Sequence, residues 1–151
     1  MKLSAGILLY KLEESLLRVF LVHPGGPFWK NKDAGAWSIP KGEFTDEEQP
    51  LEAAKREFNE ETGIDISGDF MELSPIQQKS GKKVLAWAVE GDIDPSALRC
   101  NTFTMEWPPK SGKWQHFPEV DQGAWFSAGE AKEKIVIAQA PFIDELQQKL
   151  R

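Results

Sequence analysis

GEFTDEEQPLEAAKREFNEETGI, from Gly42 to Ile64, is the stretch around which the chain is arranged. Pro50 suits the first position of a helix, where a missing N–H is tolerated. Gly63 suits its end, since glycine readily takes the left-handed backbone that closes many helices. Between them Leu51, Ala54, Phe58 and Thr62 share one mostly apolar face. Thr45 and Glu48 have the spacing of a capping box, but a start there would put Pro50 inside the first turns. The helix is therefore expected from Pro50, with residues 43–49 as a tight acidic loop.

With about 3.6 residues per turn, Glu57 and Glu61 stack one above the other, and Glu60 shares their neighbourhood. Three carboxylates near a helix C-terminus sit at the negative pole of its dipole, which disfavours each by about 0.3–1 kcal/mol. Arg56, four residues from both Glu52 and Glu60, offsets part of this charge. A divalent cation would quench the rest, and oxygen donors with no Cys or His nearby suit Mg²⁺ or Mn²⁺. The rival reading is a solvated acidic face, which is what most Glu-rich helices present.

The full spacing narrows the choice. Gly42, Glu48 and the run Arg56-Glu57-Phe58-Asn59-Glu60-Glu61-Thr62-Gly63-Ile64 resemble the Nudix box at every defined position. That resemblance implies hydrolysis of a nucleoside diphosphate linked to another moiety. It also implies Mg²⁺ or Mn²⁺ on Glu57 and Glu61, with Glu60 as a further ligand or a base. Arg56 and Glu48 would hold loop and helix in place, and the Gly42 carbonyl would face the metal. Upstream, Trp37-Ser38-Ile39-Pro40-Lys41-Gly42 resembles the lead-in of family members that cleave nucleotides and dinucleoside polyphosphates. Lys41 would then oppose the substrate's phosphates, where a fixed cation stabilises charge developing on oxygen. Downstream, the segment from Phe117 to Phe126 resembles one in dinucleoside polyphosphate hydrolases, where a Glu before a strand is a metal ligand or base. That role falls on Glu119.

Composition agrees with a local acidic site. The chain has 151 residues, 40% of them hydrophobic, and a net charge of −6, enough for one domain with its own core. Of its 24 acids and 18 bases, eight acids and two bases lie in residues 42–61, so the rest is neutral. No basic stripe argues for duplex nucleic acid. The first apolar run, Leu3–Tyr10, is too short to span a membrane. Cys100 is alone, so no disulfide forms within the chain and a reducing, cytoplasmic setting is expected.

Outward from the box, Leu3–Tyr10 and Leu17–His23 read as paired strands around Glu13-Glu14-Ser15. His23, at a strand end, reads first as a packed or surface histidine. The loop Pro24–Ala36 is long enough to be functional. It carries Trp29, and Trp37 follows it; either indole can stack on a base. Phe70–Gln78, Lys82–Glu90 and Cys100–Trp107 are strand candidates, the second with two apolar faces, as a central strand has. Residues 108–117 read as a second rich loop, whose Lys110, Lys113, Trp114 and His116 are candidates to clasp phosphates and a base. Ser127 with Glu130 caps a helix of about ten residues. Pro141–Leu150 starts a last helix with Phe142, Ile143 and Leu146 inward.

The order of elements predicts an α/β/α sandwich on a mixed sheet with the box helix at its centre, the Nudix-type fold the resemblance implies. The expected reaction is metal-assisted attack of water on a nucleoside triphosphate or a dinucleoside polyphosphate. Glu60 and Glu119 compete for the role of base. An ADP-ribose or nucleotide-sugar pyrophosphatase, and a Nudix module that binds a nucleotide without cleaving it, are the alternatives. The partner is a small nucleotide, and the chain acts as a monomer or homodimer.

Overall fold

In the computed structural model, which describes residues 2–151, one mixed sheet lies between helices, as expected. β1 (Leu3–Glu13) and β2 (Leu16–Pro24) form an antiparallel hairpin. Its tight turn places Glu14 and Ser15 at positive φ. β3 (Lys41–Phe44) pairs antiparallel with the start of β1. β6 (Lys83–Glu90) runs parallel to β1 on its other side, and β9 (Val120–Ser127) completes the sheet beyond β2.

Alternation along β1 explains the sandwich. Ala5, Ile7 and Leu9 face α1 (Pro50–Thr62), where they meet Ala53, Ala54 and Phe58. Leu8 and Tyr10 face the opposite layer, α2 (Ala128–Lys134) and α3 (Ala140–Lys149), and pack with Phe142, Ile143 and Leu146. Two apolar layers thus clamp the strands that carry the box.

Four expectations need correction. The helix starts at Pro50 as read, but residues 43 and 44 belong to β3 rather than to a loop, because they pair with Ser4 and Leu3. Phe70–Gln78 is not one strand. It makes two short ones on β6, β4 (Met71–Glu72) and β5 (Ile76–Gln77), interrupted at Pro75, which has no N–H to give the ladder. Residues 108–117 are not all loop. β8 (Trp114–Pro118) pairs with β7 (Thr102–Glu106) in a ribbon apart from the main sheet, with the Glu106 carboxylate accepting from Lys110 and Gly112 N–H in its turn. α2 has seven residues, because Ile135 leaves helical geometry and bridges to Trp37. Its Ser127 cap is present, accepting from Glu130 N–H.

Candidate active site

Three turns of α1 organise the site around Arg56. Its Nε and Nη2 donate to both Glu48 oxygens at 2.8 and 2.9 Å, a bidentate pair. Its Nη1 donates to Glu57 Oε1 at 2.8 Å and to both Glu60 oxygens at 3.1 Å. Arg56 therefore turns to Glu48 and not to Glu52, which Lys55 approaches at 3.5 Å instead. Bonded first to Glu48, the guanidinium is held even more firmly protonated than usual, and it keeps the Glu48 carboxyl below the ordinary carboxylate range.

The helix end is closed from outside. Gly63, in the left-handed region at φ 77°, donates to Asn59 O at 2.7 Å. Asn101 N–H donates to Glu60 O and Arg99 N–H to Thr62 O, both at 2.8 Å. Backbone donors thus cover the carbonyls that make this pole negative, and three glutamates become tolerable there.

Glu57 is only 8% exposed. Its carboxylate occupies the space a side chain on residue 42 would fill: a Cβ on Gly42 would lie 1.9 Å from Glu57 Oε2. Burial, the largest influence, raises the Glu57 pKa, the Arg56 hydrogen bond opposes it, and Glu60 and Glu119 raise it further. Glu61 is pushed up to about 8, first by burial, then by Glu119 and Glu57, against the pull of the Lys41 ammonium and Lys41 backbone N–H.

Glu119 reaches these residues from the far side. It stands in the break between β8 and β9, its N–H donating to Asn101 O at 2.9 Å and its carbonyl accepting from Gly25 N–H at 3.0 Å. Its own pKa is raised by burial and by Glu60. Burial, and then Lys82, lower the Lys41 pKa, while Glu61, Glu43 and Glu57 oppose the shift. Lys41, Glu61 and Glu119 share one cleft of about 200 Å³ with Trp29, Gln78 and Gln139.

Among the described residues no three acidic, His or Cys side chains already close around one point as a metal centre. Arg56 takes Glu57 Oε1 and both Glu60 oxygens, while Glu57 Oε2 and the Glu119 carboxylate make no hydrogen bond among the described residues. Even so, the donor set fits a hard divalent cation: oxygens only, partly buried, with Glu119 and Glu57 raising the Glu61 pKa and Glu60 raising those of Glu57 and Glu119.

The other sequence candidates divide. Trp29 lines the cleft, 39% exposed, with the Lys32 ammonium 5.4 Å from its ring centre. Trp37 is 4% exposed, donates to Asp33 Oδ1 at 2.8 Å and packs edge-on against His23 and Phe126, so it anchors the core. Lys110, Lys113, Trp114 and His116 are exposed on the ribbon and do not line the cleft. Gln78, Gln139 and Lys82 escaped the sequence reading. Only Lys82 left a trace, the basic run Lys79–Lys83 just before a central strand.

The NUDIX domain sequence model matches residues 2–146. The chain belongs to the Nudix family. This Nudix protein is an enzyme of the pyrophosphohydrolase type. Its fold is similar to that of an Ap4A hydrolase binary complex from C. elegans, with a TM-score of 0.69, 17% identity and 97% of each chain covered. It is also similar to the NUDIX domain of Shewanella oneidensis NrtR complexed with ADP ribose: TM-score 0.67, 16% identity, covering 99% of this chain and 88% of that one. A MutT protein from Methanosarcina mazei Go1 aligns with a TM-score of 0.64 at 18% identity, covering 99% and 95%. No curated protein sequence matches. Likeness at these identities is likeness of fold. Among the described residues no helix is long and apolar enough to cross a membrane.

Proposed function

We propose that this Nudix enzyme is a divalent-metal-dependent pyrophosphohydrolase of nucleoside triphosphates or dinucleoside polyphosphates. The supporting observation is the meeting of Glu61, Glu119 and Lys41, far apart in sequence, in one cleft. Glu57, through Oε2, and Glu61 hold Mg²⁺ or Mn²⁺, with Gly42 leaving the room Glu57 needs. When bound, the ion neutralises phosphate charge and lowers the pKa of a water.

Glu119 is the base in this reading. Both Glu60 oxygens are engaged by Arg56, so Glu60 steadies Arg56, whereas the Glu119 carboxylate faces the cleft. Glu119 takes a proton from the attacking water, the new P–O bond forms, and the phosphoanhydride bond breaks. Lys41 opposes the charge that grows on the departing phosphate oxygen. Trp29 offers an aromatic face to a base.

The test is a panel of diadenosine tetraphosphate, nucleoside triphosphates and ADP-ribose with Mg²⁺, read by product mass. Polyphosphates are cleaved faster than ADP-ribose, and Glu57→Gln lowers turnover by about a hundredfold or more. Dominant cleavage of ADP-ribose would overturn the substrate assignment. A Glu57→Gln variant as active as the native enzyme would overturn the metal assignment.

A further inference from the structure

The chain changes partners at Glu119. Pro118 pairs with Thr102 in the ribbon, Val120 pairs with Pro24 in the main sheet, and Glu119 between them belongs to neither ladder. Two backbone bonds from distant segments hold it instead. Its N–H donates to Asn101 O, and Asn101 N–H in turn donates to Glu60 O on α1. Its carbonyl accepts from Gly25 N–H. The Glu119 backbone is thus suspended between the box helix on one side and the end of β2 on the other.

Gly25 makes the second attachment possible. A register shift between His23 and Pro24 skips Asp121 and brings Gly25, which is buried, flat against the Pro118–Glu119 peptide. A Cβ on Gly25 would lie 2.0 Å from Pro118 O, 3.0 Å from Pro118 C and 3.3 Å from Pro118 Cγ. The first of these is a backbone oxygen, which no change of rotamer moves aside. Relief takes a shift of about 1 Å between the two segments, and a displacement of that size at a reacting group costs about a hundredfold in rate. The end of β2 is the firmer side: Val22 and His23 pair with β9, and the His23 ring is bonded to Asp121 and to Lys32 O. Pro118 has no N–H with which to hold the ribbon. The Glu119 peptide is therefore the part that gives way.

We propose that Gly25 is a positioning residue for Glu119. Its missing side chain lets the end of β2 fix the Pro118–Glu119 peptide, and with it the place of the Glu119 carboxylate relative to α1. The inference rests on Glu119 as the base of the proposed reaction.

A double-mutant cycle tests this, with Mg²⁺ and the best-cleaved nucleotide of the panel. Gly25→Ala lowers kcat about a hundredfold and changes KM less than about threefold. Glu119→Gln lowers kcat by about a hundredfold or more. Adding Gly25→Ala to Glu119→Gln costs less than about a further twofold, because the group it displaces is already inert. A merely structural role would cost the same in both backgrounds. Gly26→Ala, at φ 97° and against the tip of the Phe103 ring, strains the same loop without touching the Glu119 peptide. It keeps kcat within about twofold of native. An ester in place of the Gly25 amide removes the N–H given to Glu119 O and adds no Cβ. It lowers kcat about fivefold, and it decides the matter if Gly25→Ala does not fold. The positioning role is overturned by a native kcat in Gly25→Ala (or in the ester, where that variant does not fold), by a rise in KM alone, or by an equal loss of kcat in Gly26→Ala. A full second loss in the Glu119→Gln background, or a raised Mg²⁺ concentration for half-maximal rate, overturns it too. A Glu119→Gln enzyme with native turnover overturns the parent reading as well.

Discussion

A side chain on residue 42 and the Glu57 carboxylate would occupy the same space. The nearest approach, 1.9 Å, is to a carboxylate packed under a strand, so the clash is not relieved by a small rotation. Gly42→Ala is therefore expected to push Glu57 off its place while β3 stays paired with β1. Turnover drops by about two orders of magnitude, comparable to losing one preorganised electrostatic group. The Mg²⁺ concentration for half-maximal rate rises as well. Kinetics across a Mg²⁺ titration check this, and unchanged metal dependence would detach Gly42 from the metal. At this scale the sequence was informative wherever spacing along one helix decides proximity, as for Glu57 and Glu61. Of the two partners that helical spacing offered Arg56, Glu60 is engaged and Glu52 is not, because the guanidinium turns instead to Glu48, which lies before the helix and stands within 2.8 Å.

Elements set the limits of that legibility. α1 was readable to the residue because Pro50 and Gly63 mark both ends by backbone chemistry. The strands of the ribbon divide: Cys100–Trp107 marked β7, but β8 was not readable, since the Lys, Gly and Pro residues before it look like loop until pairing across the turn is known. Pro24–Ala36 is held by contacts no local pattern announces. His23, 6% exposed, bridges Asp121 Oδ1 at 2.8 Å and Lys32 O at 2.6 Å. A Cβ on Gly25 would lie 2.0 Å from Pro118 O, and Phe28 packs edge-on against Trp107. The segment that presents Trp29 to the cleft is thus pinned to β9 and the ribbon. His23→Ala strips partners from a partly buried carboxylate and a carbonyl, at a cost of about 1–3 kcal/mol. The expected outcome is a lower Tm and faster limited proteolysis within residues 25–36, with a raised nucleotide KM. Cleavage elsewhere first would place the latch in another contact.

For the whole molecule, the two-layer core holds a concentrated negative charge in place, and acidity links that charge to stability. Glu61 titrates at about 8 in the folded chain against an ordinary 4.5, and Glu57 and Glu119 are shifted in the same direction. A carboxyl whose folded pKa is raised keeps its proton in the native state after the unfolded chain has released it. Stability from this source is full below about 4.5 and declines as pH climbs towards about 8. Metal-free protein in chelator should therefore melt several degrees lower at pH 8 than at pH 6. Added Mg²⁺ acts on the deprotonated carboxylates, so the rise in Tm it brings should be larger at pH 8 than at pH 6. Glu61→Gln, neutral at every pH, flattens the metal-free slope and weakens the Mg²⁺ effect together. Scanning calorimetry at the two pH values, with and without Mg²⁺, distinguishes the cases: a Tm that holds level from pH 6 to pH 8 in chelator, or a Mg²⁺ gain that does not grow with pH, would mean that these carboxylates neither repel one another in the fold nor receive the ion.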